Sequence, residues 1–104
     1  MMVKIAFFVP EDHKEAVKAA MFAVGAGNIG NDDQCCWEVE GVGQFRPLDD
    51  ADPFLGAVGA LERVKEFKVE MVCADDAARS VVQALKQAHP YEEPAYDVVA
   101  LLDI

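Results

Sequence analysis

The first apolar pattern along the chain is an alternation. Across residues 3–9, VKIAFFV, Val3, Ile5, Phe7 and Val9 share one parity, and Lys4, Ala6 and Phe8 share the other. A period of two over a run rich in β-formers predicts a strand, and Pro10 stops it. The period then changes. Val17, Ala20, Met21 and Val24 recur at i, i+3, i+4 and i+7, which predicts an amphipathic helix with one apolar stripe. Asp12 is placed as its N-cap, with Glu15 completing a capping box. Gly25 is placed to end it in a left-handed conformation.

Alternation returns at CCWEVEG, residues 35–41. Cys35, Trp37 and Val39 face one way, and Cys36, Glu38 and Glu40 face the other. Gly41 and Gly43 bracket Val42 and predict a bulge or sharp bend before QFRP. Residues 47–60 hold two prolines, two glycines and three aspartates; they predict a long ordered loop with at most a short helical turn. Arg63–Cys73 is the longest strand candidate, with Phe67, Val69, Met71 and Cys73 on one face and Glu66, Lys68 and Glu70 on the other. Asp75 or Asp76 then caps a second helix, whose stripe is Ala78, Val81, Val82 and Leu85 and which Pro90 ends at His89. Residues 95–102, AYDVVALL, make the last strand.

The order is β-α-β-β-α-β, with an elaborated loop between the middle strands. It predicts an α+β, ferredoxin-like domain: an antiparallel sheet with two helices on one face. The 104 residues fit a single domain over 1–104 and are too few for a dinucleotide-binding enzyme, a (β/α)₈ barrel or a kinase. Phe8, Val99 and Leu101 fall on the face away from the helices. That surplus of apolar surface predicts cover by another subunit, in a homo-oligomer.

Charge narrows the partners. Nine Lys and Arg stand against nineteen Asp and Glu, a net charge of −10, so the chain lacks the cationic footprint of a nucleic-acid binder and is repelled by anionic membranes. No apolar stretch approaches the ~18 residues of a membrane span. Three cysteines are an odd count, two of them adjacent; reduced thiols in the cytoplasm are the expectation. Cys35 and Cys36 point to opposite faces of one strand, so they do not grip one metal together.

Two runs resemble chemical motifs. GAGNIG, residues 25–30, is a literal G-x-G-x-x-G with Asp49 about twenty residues on. The dinucleotide fingerprint needs strand, turn, then helix; here the glycines follow a helix and lead to Asp32 and Asp33, so a helix cap and turn is the expectation. HPYEEPAYD, residues 89–97, places His89, Glu92 and Glu93 where they offer one nitrogen and two carboxylates to a divalent metal, or a general base. Pro90 and Pro94 equally predict a rigid connection with Tyr91 and Tyr96 packed beneath it. Glu38, Glu40, Glu66 and Glu70 predict carboxylates crowded on one sheet face, solvated or holding a cation. His13 is expected on the surface of the first helix. Ser80 is the only serine, there is no threonine, and serine nucleophile chemistry is set aside.

Four runs together carry a family resemblance: VPEDHKEAVKAAMFAVGAGNIGN, C-x-W-x-V-E-G-V-G-Q-F-R-P, A-D-P-F-L-G-x-x-G-x-L-E and AHPYEEPAYDVVAL. They span residues 3–102 nearly without gap and resemble the YqfO-type domain of the Nif-three-like family. The resemblance implies a stand-alone PII/CutA-like unit, and trimeric assembly of the PII and CutA kind. Larger family members place their dinuclear metal site in flanking halves that this chain lacks, so the hydrolase and cyclohydrolase activities associated with them do not transfer. After Asn31 the chain carries Asp32 where the family has an aromatic.

The expected function is a non-enzymatic, oligomeric binding or regulatory module. Its ligand would sit between subunits, at His89, Tyr91, Glu92, Glu93 and the glycine turn of Gly27, Gly30 and Asn31. A divalent metal protein of CutA style, ligated by His89 with Glu92 or Glu93, is the first alternative. A small metal-dependent hydrolase is the second, and a structural partner subunit the third.

Overall fold

The computed structural model describes all residues from Met1 to Ile104. Its elements are β1 (Met2–Pro10), α1 (Glu11–Ala23), β2 (Trp37–Phe45), β3 (Glu62–Ala74), a 3-10 turn at Asp75–Ala77, α2 (Ala78–Ala88) and β4 (Tyr96–Ala100). The strands lie in the order β2-β3-β1-β4, and every neighbouring pair is antiparallel. The ferredoxin-like arrangement predicted from the element order is the observed one.

The core forms where the alternations meet. Val3, Ile5, Phe7 and Val9 lie opposite Cys73, Met71, Val69 and Phe67. All but Phe67 are buried, together with Val17 and Met21 of α1 and Val81 and Leu85 of α2. Both helices therefore cover the same sheet face. Neither helix is long and apolar enough to cross a membrane.

The helix ends depart from the sequence reading in one direction only. Gly25, at φ +110, ends α1 as expected: Gly25 N–H donates to Phe22 O and Ala26 N–H to Met21 O at 3.1 and 3.2 Å, the paired bonds of a Schellman motif. The N-terminal ends carry no side-chain cap. β1 runs directly into Pro10, whose extended backbone hands the chain to Glu11. Asp12 thus lies inside the first turn, where its charge suits the helix dipole, and Glu15 binds Lys18 instead of closing a capping box. Asp75 sits 3.7 Å from the N-terminal ammonium.

β2 also departs. It covers 37–45, leaving Cys35 and Cys36 outside, and pairs one-to-one with β3 from Trp37↔Glu70 to Phe45↔Glu62. No bulge forms at Gly41 or Gly43. Its register places Glu38 opposite Val69 and Glu40 opposite Phe67, hence on the helix side, while Glu66 and Glu70 are on the bare side. The four carboxylates are split between the faces. The reason is cationic: Lys14 and Lys18 of α1 both reach Glu38, the latter at 3.0 Å, and Lys65 bridges Glu11 and Glu40 at 2.9 and 3.2 Å.

Trp37 and Val39 of β2 consequently join the bare face. Phe8 lies on that face opposite Lys68, and Val99 opposite Lys4. Trp37 is 60% and Val99 49% exposed. Residues 46–61 form the predicted loop, with isolated turns at Leu48–Ala51 and Ala57–Ala60 and no helix.

Candidate functional site

The chain folds a cavity of about 450 Å³ at the end of the sheet where β1 turns into α1. Three segments wall it: the end of β2 and its continuation to Pro47, the loop around Pro53 and Phe54, and residues Tyr91 to Glu93 with Ala95. They belong to three of the four runs that carry the family resemblance.

Glu66 and Tyr91 form its polar centre. The Tyr91 hydroxyl donates to Glu66 Oε2 at 2.7 Å. Burial, reinforced by that carboxylate, pushes the phenol far above its ordinary pKa, so it stays protonated and donating. Glu66 reaches this position by lying across Gly43. A Cβ at Gly43 would overlap the Glu66 carboxylate, so the glycine is a gap for a side chain and not a bend in the strand. Two further rings flank Tyr91. Tyr91 is 6.1 Å from Phe45 and 6.4 Å from Phe54, centroid to centroid, each pair tilted by about fifty degrees (50° and 49°), within the range of aromatic contact.

His89 supports the site from behind. It is buried. Its Nε2–H donates to the Phe8 carbonyl at 2.7 Å, and its Nδ1 accepts the Tyr91 N–H at 3.1 Å. These bonds define one tautomer and use both ring nitrogens. Burial holds the imidazole pKa below its ordinary value, against the contrary pull of the Phe8 bond. His89 therefore shapes the HPYEEP connection, and neither nitrogen is free for a metal or for proton transfer. Pro94 is buried while Glu92 and Glu93 are exposed. Glu92 accepts the Asp52 N–H at 3.3 Å, which ties the long loop to the connection. No group of three or more His, Cys, Asp or Glu side chains gathers at metal-binding distances.

The sequence candidates thus fall into two sets. Tyr91, Glu92 and Glu93 line the cavity, with His89 bracing them. The glycine turn lies at the other end of α1, so a single chain does not bring it to His89. Gly27 is buried, and its backbone is spent on Val72 O and Cys35 N–H, both at 2.8 Å; Phe22 packs where a side chain would stand. Gly30, at φ +57, and exposed Asn31 lie within the turn closed by Ile29 and Asp32. The glycines follow a helix C-terminus, whose carbonyl end disfavours phosphate. His13 is not a simple surface residue. Its ring meets Phe54 edge-on at 5.2 Å, and its buried Nδ1 has no hydrogen-bond partner.

Sequence reasoning missed Phe45, Phe54 and Gly43 as site residues, and placed Glu66 only among the four carboxylates of one sheet face, not with Tyr91. Phe45 and Phe54 were visible within the family-like runs. Glu66 carries no local signal, because Tyr91, its partner, is twenty-five positions away.

No family model matches the chain. A Mycobacterium leprae protein named GTP cyclohydrolase 1 type 2 homolog is 50% identical over 99 residues, 95% of this chain and 26% of that protein. The crystal structure of a Bacillus cereus protein related to NIF3 superposes with TM-score 0.83 at 41% identity, covering 98% of this chain and 26% of that one. The divalent cation tolerance protein CutA of Archaeoglobus fulgidus shares the fold, with TM-score 0.68 at 14% identity over 97% of this chain and 84% of its own. The chain spans about a quarter of the length of the relatives that match it in sequence. With that identity across almost all its residues and that fold, the chain belongs to the Nif-three-like family and corresponds to its YqfO-type, CutA-like unit.

Proposed function

We propose that this chain is a non-catalytic binding module that works as a homo-oligomer and takes a small molecule in the cavity between Phe45, Phe54 and Tyr91. The observation that carries this is the cavity itself. It has the size of a small-molecule site, apolar walls and a few convergent polar groups. Tyr91, Glu92 and Glu93 contact the ligand, and His89 sets their position.

The relatives' name speaks of GTP cyclohydrolase, and they are about four times as long. What favours binding over catalysis in this unit is the engagement of both His89 nitrogens by the backbone and the phenolic state of Tyr91. A general base needs a free lone pair in reach of substrate, and neither His89 nor Tyr91 offers one. The same engagement of His89 weighs against a metal held in CutA style. Oligomerisation is supported by the uncovered apolar side chains of Trp37, Val39 and Val99 on the bare face. Three free thiols suit a cytoplasmic setting.

A fragment screen read by ¹H–¹⁵N amide shifts tests the cavity. Binders are expected to move amides at 43–46, 54, 66 and 91–93, and Gly43→Ala, which displaces Glu66, is expected to weaken them severalfold. Shifts confined to other regions, or none at all, would discard this reading.

A further inference from the structure

Resting on that cavity as a ligand site, we propose that its ligand is a small organic cation: an ammonium or guanidinium group on an apolar body. The cationic head lies against the Tyr91, Phe45 and Phe54 rings and the Glu66 carboxylate.

The charge of the cavity points this way. Glu66 is half-buried and has no basic partner in the chain. Its neighbours on β3 are turned elsewhere, Lys65 to Glu11 and Glu40, and Lys68 to Glu70. Tyr91 satisfies Oε2, and no donor reaches Oε1. Glu92 and Glu93 add two carboxylates to the lining, against Arg46 as its one cation. An anion is repelled by this set and by the −10 charge of the molecule. A purely apolar ligand would desolvate Oε1 and give it nothing in return.

The rings supply the second argument. An aromatic face carries negative potential and attracts a cation within about 6 Å of its centroid. Phe45 and Phe54 stand 6.1 and 6.4 Å from Tyr91, centroid to centroid, and all three line the cavity, so one cationic head there has more than one ring to meet. Aromatic faces beside a carboxylate without a counter-ion are a combination that recognises alkylammonium and guanidinium groups. The volume of about 450 Å³ leaves room for an apolar body, whereas a bare metal ion would find no ligand cluster.

Four nearly isosteric probes separate the possibilities: phenethylamine, benzamidine, 2-phenylethanol and phenylacetate, each titrated by calorimetry and by amide shifts. The two cations are expected to bind about tenfold or more tighter than the alcohol, the difference expected for a hydrogen bond to a charged group. Their affinity should fall with added salt, and phenylacetate should not bind. Glu66→Gln keeps the volume and an acceptor for Tyr91; it should weaken phenethylamine about tenfold and 2-phenylethanol by clearly less. If Glu66→Gln does not fold, the comparison of amine with alcohol on the unaltered protein decides. Equal or tighter binding of the alcohol or the acid at the cavity amides would overturn the cationic ligand and leave the cavity as a binding site. Silence of those amides with all four probes would overturn the cationic ligand too, and the fragment screen then judges the cavity separately.

Discussion

His89 shows how one residue can look catalytic in sequence and be architectural in the fold. An imidazole between helix and proline is a fair candidate for metal or proton chemistry. Buried, with one nitrogen donating to Phe8 O and the other accepting from Tyr91 N–H, it is a bracket between β1 and the HPYEEP connection. This has a pH consequence. Its folded pKa is lowered by burial from an ordinary value of 6.5, so in acid the unfolded chain takes up the proton first. The contribution of neutral His89 to stability is complete above pH ~6.5 and is lost as pH falls through and below that value. Thermal unfolding from pH 8 to pH 5 should show a falling midpoint, and His89→Gln should flatten that fall while lowering stability at pH 8. A midpoint equally steep in the variant would remove His89 from this role. Gly43 teaches a related lesson: its use is the space it leaves for Glu66, which strand propensity alone reads as a weakness.

At the scale of elements, β2 is where alternation found a strand, at 35–41 for the observed 37–45, and grouped Glu38 and Glu40 with Glu66 and Glu70 on one face, which the register splits. Apolar parity normally marks the buried face. On this edge strand the acidic parity faces the helices, because Lys14 and Lys18 extend from α1 over it and Lys14 also stacks on Phe67 at 3.9 Å. The side chains of Lys14 and Lys18 are only 14% and 13% exposed, so their charges depend on Glu38. Glu38→Ala should destabilise the fold by about 1–3 kcal/mol, since it leaves two partly buried cations with only the exposed Glu15 as partner. Glu40→Ala, which leaves the exposed Lys65 paired with Glu11, should stay within about 0.5 kcal/mol of the parent. Urea denaturation of the two variants checks the contrast; equal midpoints would mean that the Glu38 cluster is no stronger than an ordinary surface pair.

On the scale of the whole molecule, the two faces of the sheet are unlike. One is closed by α1 and α2 over a continuous core. The other presents Trp37, Val39, Phe8 and Val99 beside Lys4, Lys68 and Glu70. A mixed apolar face of this kind is suited to a second copy. Trp37 is the only tryptophan and lies on that face, so it reports on its cover. Ultracentrifugation should find an oligomer. Dilution should shift Trp37 emission to the red as subunits part, and Val99→Asp should give the monomer at all concentrations with its secondary structure intact. A monomer in the parent protein, with Trp37 emission independent of concentration, would remove the oligomer from the proposal.

Features that depend on neighbours along the chain were legible from the residues alone. The parity of Val3 to Val9, the stripes of Val17 and Met21 and of Val81 and Leu85, and the glycine end of α1 are all local periodicities, and together they dictated the element order and the core. The resemblance carried by four separated runs identified the family. Features that depend on partners far apart along the chain needed the folded molecule. It set the carboxylates of β2 and β3 on different faces through lysines on α1, and it left the glycine turn and His89 at opposite ends. It also joined Glu66 to Tyr91 across the space above Gly43. Such pairings follow from strand register and helix placement, which residues acquire only once the sheet has formed.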